Sequence, residues 1–544
     1  MRTRFFNSLY ILSFLLSGSC ALSKKSTNSP EGTAPKNPLP EKISYDLPDT
    51  EENKFYFQMK HVFENDLAHM QQIIETRHKK KSVSKPSILI VGAGPTGLMT
   101  AIESYLYGAE KITVLEARTA YIRNTPVRID GPLDSNSKPP AGFVDLISAL
   151  KTILGDKTFA YLEEQKILLK SGLNHPPITR SIKIKEFEMV LASFLKVLQE
   201  KDPQHDLAVL YGAKFERKDQ TDKERVLTVK AKGKNGQEDT LQIEAALLVS
   251  AEGGRTEAGS YINDREPLTF SATPSYAMVS IYENSPKIIP LDSWTDPAKN
   301  KQYQETSSPT DPTYAHVFST LQTEFAWDPT ETLGLAGTQL PRTRLFVLKD
   351  VLYYGMELTK HQYTHFANDR DALLKMAQTR AEPSLHGTAA QLAPLRGKLD
   401  VAAMPIELKK KKHSYYAMGN KNMIGFLLGD SLAQTHFFTG SGLNRGLEDA
   451  VHMGELFDSW DSSKVNHFAK PATDPLLKNL ENAQNLSIGR MFLKCNGAAA
   501  MPPDGVAQKG FMQMKKPLFE RHFSNILPTL KAAAPNYTTA NWAK

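Results

Sequence analysis

Cysteine is nearly absent from this sequence, which has two, Cys20 and Cys495, in 544 residues. Two thiols exclude a disulfide scaffold and any four-cysteine zinc or iron–sulfur site. A strong excess of one charge is also missing. The 66 basic residues face 59 acidic ones, and the net charge of +7 gives no reason to expect nucleic-acid binding. Apolar residues (40%) and charged residues (23%) are near the globular average, which excludes global disorder, collagen-like repeats and a polytopic membrane protein.

The first twenty residues have the pattern of an export signal. Arg2 and Arg4 precede the mostly apolar stretch 5–16, which is too short to cross a bilayer comfortably but suits a signal peptide. The segment 17–20 (SGSC) resembles a bacterial lipobox, in which the cysteine is acylated. We therefore expect an exported protein that associates with the membrane through lipidated Cys20. The alternatives are an ordinary signal peptide, or an anchor that keeps the chain on the cytoplasmic face of the membrane.

A linker and a helix are predicted after this leader. Residues 21–53 are rich in Ser, Pro, Lys and Asn and offer too little apolar surface to fold alone, so we expect a flexible linker. Apolar residues recur at helical spacing over 55–74. The basic run 78–81 is interpreted as a solvated helix end, with contact to anionic lipid as the alternative.

The clearest motif is a strand, a glycine-rich turn and a helix. The apolar run 88–91 has strand length, the turn 92–97 (GAGPTG) follows at once, and 98–106 has a helical pattern. A second strand, 111–115, ends at Glu116. This order is typical of a dinucleotide-binding unit, and each part has a physical role.

The glycines and the acidic residue explain how such a unit would bind a dinucleotide. Gly92 permits the tight turn, Gly94 lets the backbone approach a pyrophosphate, and Gly97 lets helix and strand pack closely. The helix N-terminus offers free N–H groups to phosphate, and Glu116 can accept hydrogen bonds from ribose hydroxyls. The cofactor-binding residues predicted here are Gly92, Ala93, Gly94, Pro95, Thr96, Gly97 and Glu116.

A second glycine-rich site lies near the other end of the chain. The apolar run 422–428 is followed by Gly429 and Asp430, and then by the turn 440–446 (GSGLNRG), which leads into a helix over 447–457. Separate early and late glycine-rich sites fit a long ligand such as FAD better than NAD. The predicted cofactor contacts are Gly429, Asp430, Gly440, Ser441, Gly442, Leu443 and Asn444.

These segments resemble the single-component FAD-dependent monooxygenases of the p-hydroxybenzoate hydroxylase class. The stretch 429–450 is similar to the GD motif of that class, and 247–255 is similar to its DG motif, with Glu252 in place of the usual aspartate. The resemblance implies that Asp430 binds the ribityl chain and that the glycines after it border the isoalloxazine. It also implies that Glu252 and Gly253 contribute to FAD and NAD(P)H binding.

Within this class the chain looks most similar to the monooxygenase domain of the MICAL proteins. The matching segments are 116–118, 121–124 and 181–187, with Lys185 where an arginine is usual. In that family the asparagine that matches Asn124 approaches the flavin. The actin-binding and LIM modules of that family have no counterpart, so actin is not carried over as a substrate. The further cofactor contacts implied are Arg118, Arg123, Asn124 and Lys185.

The expected fold class is α/β. A Rossmann-like FAD-binding domain of the GR2 type would be interleaved with an antiparallel-sheet substrate domain and flanked by helical N- and C-terminal extensions. The predicted segments are a leader (1–20), a flexible linker (21–53), a split FAD-binding domain with an N-terminal helix (54–260 and 396–460), a mainly β substrate domain (261–395) and a helical C-terminal region (461–544).

The middle region has short candidate strands at 276–282, 344–347 and 351–358, and another strand is expected over 401–408. Its aromatic residues would line a pocket above the flavin or form core: Trp294, Trp327, Phe346, Tyr353 and Tyr354. The basic run 409–413 (KKKKH) is interpreted as a solvated hairpin loop, with an acidic partner or a cofactor phosphate as the alternative.

The resemblance implies an NAD(P)H-dependent monooxygenase, in which NADPH or NADH transiently reduces FAD and O2 forms a flavin hydroperoxide that oxygenates an unidentified small molecule or protein side chain. The sequence has no second GxGxxG unit, no cysteine pair for disulfide reduction and no W-x-W pattern of flavin halogenases. No metal and no nucleic acid are expected. His436 is the one acid–base candidate, with packing as its alternative. A flavin dehydrogenase or reductase, or a non-catalytic FAD-binding protein, are the rival functions.

Overall fold

The computed structural model describes residues 47–80, 85–131, 144–171, 179–220, 225–232, 237–254, 257–263, 270, 275–283, 343–347, 351–384, 400–418, 423–436, 441–461, 466–497, 512–534, 537–540 and 542–543. Predictions for the leader 1–20, most of the linker 21–53, Gly440, Trp294 and Trp327 lie outside these residues.

Helices and strands are mixed along the described chain. The helices are α1 (Lys54–Glu64), α2 (Leu67–Lys80), α3 (Pro95–Leu106), α4 (Leu146–Leu154), α5 (Asp156–Glu164), α6 (Ile184–Lys201), α7 (Glu257–Ile262), α8 (Lys360–Phe366), α9 (Arg370–Ser384), α10 (Ser441–Ser459), α11 (Pro475–Cys495), α12 (Lys516–His522) and α13 (Leu527–Ala533). The strands are β1 (Ile88–Val91), β2 (Lys111–Glu116), β3 (Pro126–Asp130), β4 (Leu169–Ser171), β5 (Thr179–Lys183), β6 (Asp206–Tyr211), β7 (Ala213–Phe215), β8 (Val226–Lys232), β9 (Glu238–Glu244), β10 (Leu247–Ser250), β11 (Ser275–Glu283), β12 (Thr343–Val347), β13 (Val351–Leu358), β14 (Asp400–Ile406), β15 (Lys409–Lys410), β16 (Tyr415–Ala417), β17 (Ile424–Leu427) and β18 (Ala433–Gln434).

A six-stranded sheet in the order β16-β17-β10-β1-β2-β6 carries the early and late motifs. The strands from β17 to β6 are parallel, and β16 pairs antiparallel with β17 at one edge. Strands β1, β10 and β17 are buried along their whole length, which is the pattern of parallel strands covered on both faces. The register pairs Val91 with both Leu115 and Ser250. Ser250 in turn pairs with Leu427, so these strands end together at one edge.

The antiparallel sheet expected in the middle of the chain is present in the order β12-β13-β11-β14. Its fourth strand, β14, lies in the segment 396–460 that was predicted to belong to the FAD-binding domain, so the predicted boundary after residue 395 is wrong: β14 pairs with β11. The strands of this sheet lie in sequence between β10 and β17 of the parallel sheet, so the predicted α/β class with an inserted antiparallel sheet is confirmed. The sequence did not predict two small antiparallel sheets, β3-β5-β4 and β7-β8-β9. Tyr353 of β13 is buried, while nothing is described of the side chains of Phe346 and Tyr354.

The helix predicted over 55–74 is two helices, α1 and α2, which pack around α6. The rings of Phe63 and Phe194 meet edge to face with centroids 5.1 Å apart. Arg77 at the end of α2 forms a buried ion pair with Asp202, at 3.2 Å between Nη1 and Oδ2.

The flexible linker predicted over 21–53 extends too far toward the C-terminus. Asn53 is buried, and its amide donates to the Pro48 and Thr119 carbonyls.

The basic run 409–413 departs from its predicted solvated loop. Lys409 and Lys410 form β15, which pairs with β18. Lys410 is buried, and its ammonium donates to the carbonyls of Lys411 and Lys412. Burial lowers the pKa of Lys410 to about 8, so the loop prediction is wrong for this residue.

The described part of the C-terminal region contains α11, α12 and α13, together with turns and a bridge between Met514 and Trp542. Cys495 ends α11 and is buried, as predicted. Over the described ranges, no helix is both long enough and apolar enough to span a bilayer.

Candidate cofactor site

A groove of about 1320 Å³ runs along the edge where β1, β2, β10 and β17 end. It exceeds the roughly 300–1,000 Å³ usual for small-ligand pockets, as a long ligand requires. Parallel sheets bind ligands at this edge, beyond the carboxyl ends of the strands. The predicted residues that line the groove are Gly92, Gly94, Pro95, Thr96, Glu116, Arg118, Arg123, Glu252, Gly253, Gly429, Asp430, Gly442 and Leu443.

The early turn needs glycine at two positions for measurable reasons. Gly92 has a φ of +103°, and a Cβ there would lie 2.6 Å from the Ala251 carbonyl oxygen. A Cβ on Gly97 would lie 1.9 Å from the Gly92 carbonyl oxygen. Because only glycine fits at these two positions, the start of α3 packs directly against the ends of β1 and β10. The helix N-terminus therefore points into the groove.

Gly94 differs from these two glycines because its Cβ position is not crowded. It precedes α3 with an ordinary φ of −75°, and the nearest atom to an added Cβ would be Nη2 of Arg123 at 3.6 Å. Pro95 opens the helix, and the N–H groups of the first turn have no partner within it. A phosphate can therefore approach the backbone at Gly94.

Glu116 is buried at the end of β2, and its carboxylate accepts four hydrogen bonds. Oε2 accepts from the Ala93 N–H at 3.1 Å and from Arg118 Nη2 at 2.9 Å. Oε1 accepts from the N–H and Nε of Arg118, both at 2.9 Å. A carboxylate has about four acceptor positions, so ribose hydroxyls can reach Glu116 only when Arg118 moves.

A buried carboxylate that the sequence analysis missed stands beside this pair. Glu188 of α6 is fully buried, and its Oε1 accepts from Arg123 and, at 3.4 Å, from Arg118. Burial raises the pKa of Glu188, and the two guanidinium groups oppose that rise. In the sequence, Glu188 stands out only as an acidic residue within an apolar helical segment, one position after the segment 181–187 on which the family resemblance rests.

The late motif forms a turn around Gly429 and the start of α10. Gly429 has a φ of +57°, and its N–H donates to Oδ2 of Asp449 at 2.9 Å. Buried Arg445 binds the same oxygen at 2.8 Å and the Ala433 carbonyl at 2.7 Å. Burial raises the pKa of Asp449 to about 6, against the pull of Arg445. Asp430 lies beside this network, with its Oδ1 3.9 Å from Nη2 of Arg445, and its side chain is 47% exposed and lines the groove.

Thr96 joins the early and late motifs. A Cβ on Gly446 would lie 2.1 Å from its Oγ1, and a Cβ on Gly429 would lie 3.0 Å from the same atom. The late glycines therefore let α10 and the turn after β17 approach α3 closely. This packing makes one continuous groove out of two motifs that are far apart in the sequence.

Two predicted cofactor side chains are engaged elsewhere. Asn444 is buried and bridges to β3, where its Oδ1 accepts from the Asp130 N–H at 2.9 Å and its Nδ2 donates to the Arg128 carbonyl at 2.8 Å. Glu252 lines the groove, but its carboxylate accepts from Ser250 and from the N–H groups at the start of α7. Their side chains are structural, which leaves their backbone for a cofactor.

Other predicted residues lie off the groove. Ala93 and Gly97 belong to the packed turn, and Ser441 begins α10. Asn124 and Lys185 are half-buried and do not line the groove. His436 is fully buried and also does not line it.

One wall of the groove is formed by residues that match none of the sequence motifs. It comes from β7 and the turn after it, and its exposed cations include Lys214 and Lys218. Glu216 pairs with Lys218 at 3.0 Å. These residues are far in sequence from the rest of the site, so only the folded structure brings them to the groove.

The described residues fit FAD. A helix N-terminus and Arg123 suit a pyrophosphate, and Asp430 offers acceptors to a polyol chain. Gly253 has a φ of +77°, and no atom of the described residues lies within 4 Å of its Cβ position, which leaves room for a ligand between the early and late turns.

Comparisons with known proteins find structural similarity only. No protein-family model matches the chain, and no curated protein matches it. A similar solved structure is OxyS anhydrotetracycline hydroxylase from Streptomyces rimosus, at 14% identity and a TM-score of 0.45, covering 75% of this chain and 67% of that one. Another is PqsL, a probable FAD-dependent monooxygenase from Pseudomonas aeruginosa, at 12% identity and a TM-score of 0.42, covering 75% of this chain and 95% of that one. A third is the flavin-dependent monooxygenase PieE in complex with FAD and substrate, at 12% identity and a TM-score of 0.43, covering 84% of this chain and 72% of that one.

Proposed function

We propose that this protein is an FAD-dependent oxidoreductase that acts as an NAD(P)H-dependent monooxygenase. The observation that carries the proposal is one groove in which the turn after β1 and the turn after β17 meet through Thr96. A mononucleotide would need only one of these turns. FAD would use both, because its adenosine diphosphate half would bind at the first turn and its flavin half at the second.

Each end of the groove has a distinct task in this proposal. The N-terminus of α3 and Arg123 bind the pyrophosphate, and Glu116 accepts from the adenosine ribose once Arg118 has moved. Asp430 would accept from the ribityl hydroxyls, and the backbone at Gly442 would border the flavin half. FAD, when bound, supplies the redox chemistry with NAD(P)H and O2.

The reductant and the finer family assignment rest on the sequence. The chain has one GxGxxG unit, so NADPH or NADH would bind transiently and not in a domain of its own. The MICAL-type assignment rests on the segments 116–124 and 181–187, and the substrate is an unidentified small molecule or protein side chain.

The test begins with the purified full chain. We expect a flavin absorbance spectrum after incubation with FAD, and NADPH or NADH oxidation that consumes O2. Asp430→Ala should bind FAD at least about tenfold more weakly, a loss of about 1.4 kcal/mol. Asp458→Ala is the matched control, because Asp458 is a partly exposed carboxylate on α10 that pairs with Lys80 away from the groove.

Each failure has its own meaning. Absence of FAD binding would contradict the proposal altogether. FAD binding with turnover only under anaerobic conditions and an artificial acceptor would assign a dehydrogenase. FAD binding without any turnover would leave a non-catalytic flavoprotein.

We also propose that the protein is exported and anchored to the membrane through acylated Cys20, with the cytoplasmic face of the membrane as the alternative. Cell fractionation and the mobility of Cys20→Ser test this. Unchanged mobility and unchanged membrane association in Cys20→Ser would remove the lipoprotein proposal. An exported enzyme would need a reductant outside the cytoplasm, so fractionation also constrains the choice of NAD(P)H.

A further inference from the structure

Glu188 lies beneath the early turn of the groove, on the buried face of α6. Its neighbours Phe187 and Met189 are also buried. A buried carboxylate is costly unless charged or hydrogen-bonding groups compensate it. Its compensation comes from Arg123 and Arg118, two residues that line the groove.

The contact to Arg123 fixes a guanidinium group above Gly94. A Cβ on Gly94 would lie 3.6 Å from Nη2 of Arg123 and 3.8 Å from Oε1 of Glu188. The Arg123 side chain is 48% exposed, so it has a free face toward the groove while Glu188 holds it from below. An arginine is a long and flexible side chain, and one fixed contact lowers the entropy it loses on binding an anion.

The contact to Arg118 points to a second task. All four acceptor positions of Glu116 are occupied, so ribose must displace the guanidinium of Arg118. Arg118 Nη2 is already 3.4 Å from Oε1 of Glu188. The other oxygen, Oε2, is buried and has no hydrogen-bond partner among the residues that the structure describes. Buried polar atoms without a partner are rare and call for an explanation.

We propose that Glu188 is the positioning residue of the dinucleotide site: it holds Arg123 over Gly94 for the pyrophosphate and accepts the guanidinium of Arg118 when ribose takes its place on Glu116. This inference rests on the proposed binding of a dinucleotide in the groove. Glu188 does not touch the ligand in this account, and it acts through the two arginines.

The test compares ADP with adenosine, which lacks the phosphates, by calorimetry on the apoprotein of the full chain. In Glu188→Gln the affinity for ADP should fall about ten- to a hundredfold, the range for losing a charged hydrogen bond. The ratio of ADP to adenosine affinity should also fall, because Arg123 acts on phosphate. Glu186→Gln, on the same helix but paired with Lys183 and, like Lys183, not lining the groove, should leave both affinities unchanged.

A double-mutant cycle separates positioning from general damage to the fold. In an Arg123→Ala background, Glu188→Gln should change the ADP-to-adenosine ratio by less than about twofold, because the side chain it positions is gone. An equal loss in both backgrounds would overturn the proposal, and so would wild-type ADP affinity in Glu188→Gln. If Glu188→Gln does not fold, Glu188→Asp replaces it, since the shorter carboxylate keeps the charge but should still lower the ratio.

The outcomes for this inference and for the proposed function differ. If the wild-type protein binds neither FAD nor ADP, both are wrong. If it binds both ligands and Glu188→Gln binds ADP as tightly as wild type, the cofactor proposal stands and the positioning role is lost.

Discussion

Gly94 and Gly97 lie in one turn, but the structure gives them different tasks that two alanine substitutions would separate. In Gly97→Ala the new methyl would lie 1.9 Å from the Gly92 carbonyl oxygen, which is backbone and cannot rotate away. In Gly94→Ala the methyl would meet nothing closer than 3.6 Å, and the φ of −75° suits alanine. The first change strains the fold, and the second mainly fills space in the groove.

The expected magnitudes follow from these contacts. Overpacking a well-packed interior costs about 1–3 kcal/mol, and we expect Gly97→Ala at or above the upper end. Gly94→Ala should change the free energy of unfolding by less than about 1 kcal/mol, because a less flexible unfolded chain offsets a poorer helix cap. Its methyl would lie where a pyrophosphate approaches α3, so FAD affinity should fall at least about tenfold, or 1.4 kcal/mol.

Urea unfolding of the apoproteins and FAD titration by fluorescence check both changes. The expected result is that Gly94→Ala keeps its stability and loses affinity, while Gly97→Ala loses stability. Wild-type FAD affinity in Gly94→Ala would refute the assignment of this turn to the pyrophosphate. Wild-type stability in Gly97→Ala would refute the close contact between α3 and the turn.

Three other predictions concern the framework of the site and are measured by urea unfolding. Gly446→Ala places a methyl 2.1 Å from Thr96 Oγ1, so it should lower the unfolding midpoint, and Thr96→Ala in the same chain should restore part of the loss. Burial raises the pKa of Glu103 to about 8, so its stabilising contribution is complete below the unfolded pKa near 4.3 and is lost as pH rises through 8. Glu103→Gln should therefore gain stability relative to wild type between pH 5 and 8, by at most about 5 kcal/mol, and a constant difference would contradict this. Arg77→Met removes the buried guanidinium from Asp202, which keeps the Tyr105 hydroxyl as a donor, and should cost about 3–5 kcal/mol, part of which Asp202→Asn should recover.

The parts of the fold that could be predicted are those with local causes. The unit from β1 to β2 is contiguous, and Gly92 and Gly97 are required by contacts within one turn or with the segment after the adjacent strand β10. Short apolar segments bounded by polar loops also predict β11, β12 and β13 of the antiparallel sheet, whereas the pairing of β14 with β11 has no local signal. The break between α1 and α2 was missed because the apolar spacing continues through 65–66.

The roles that were missed depend on residues far away in the sequence. Asn444 looked like a cofactor ligand from its motif, but β3 binds its side chain, and the Asp130 N–H that it accepts from lies 314 positions away. Glu188 reads locally as one polar residue of an amphipathic helix, and only the packing of α6 brings it to Arg123. Lys410 was assigned to a solvated loop because a basic run usually is, yet pairing with β18 buries it.

Parallel titrations of the apoprotein of the full chain with FAD, FMN and ADP would test the central claim most directly. The claim is that one groove binds both halves of a dinucleotide, so FAD should bind at a ratio of one per chain and far more tightly than either half alone. Equal affinity for FAD and FMN would contradict the role of the early turn. No binding of FAD would contradict the account as a whole.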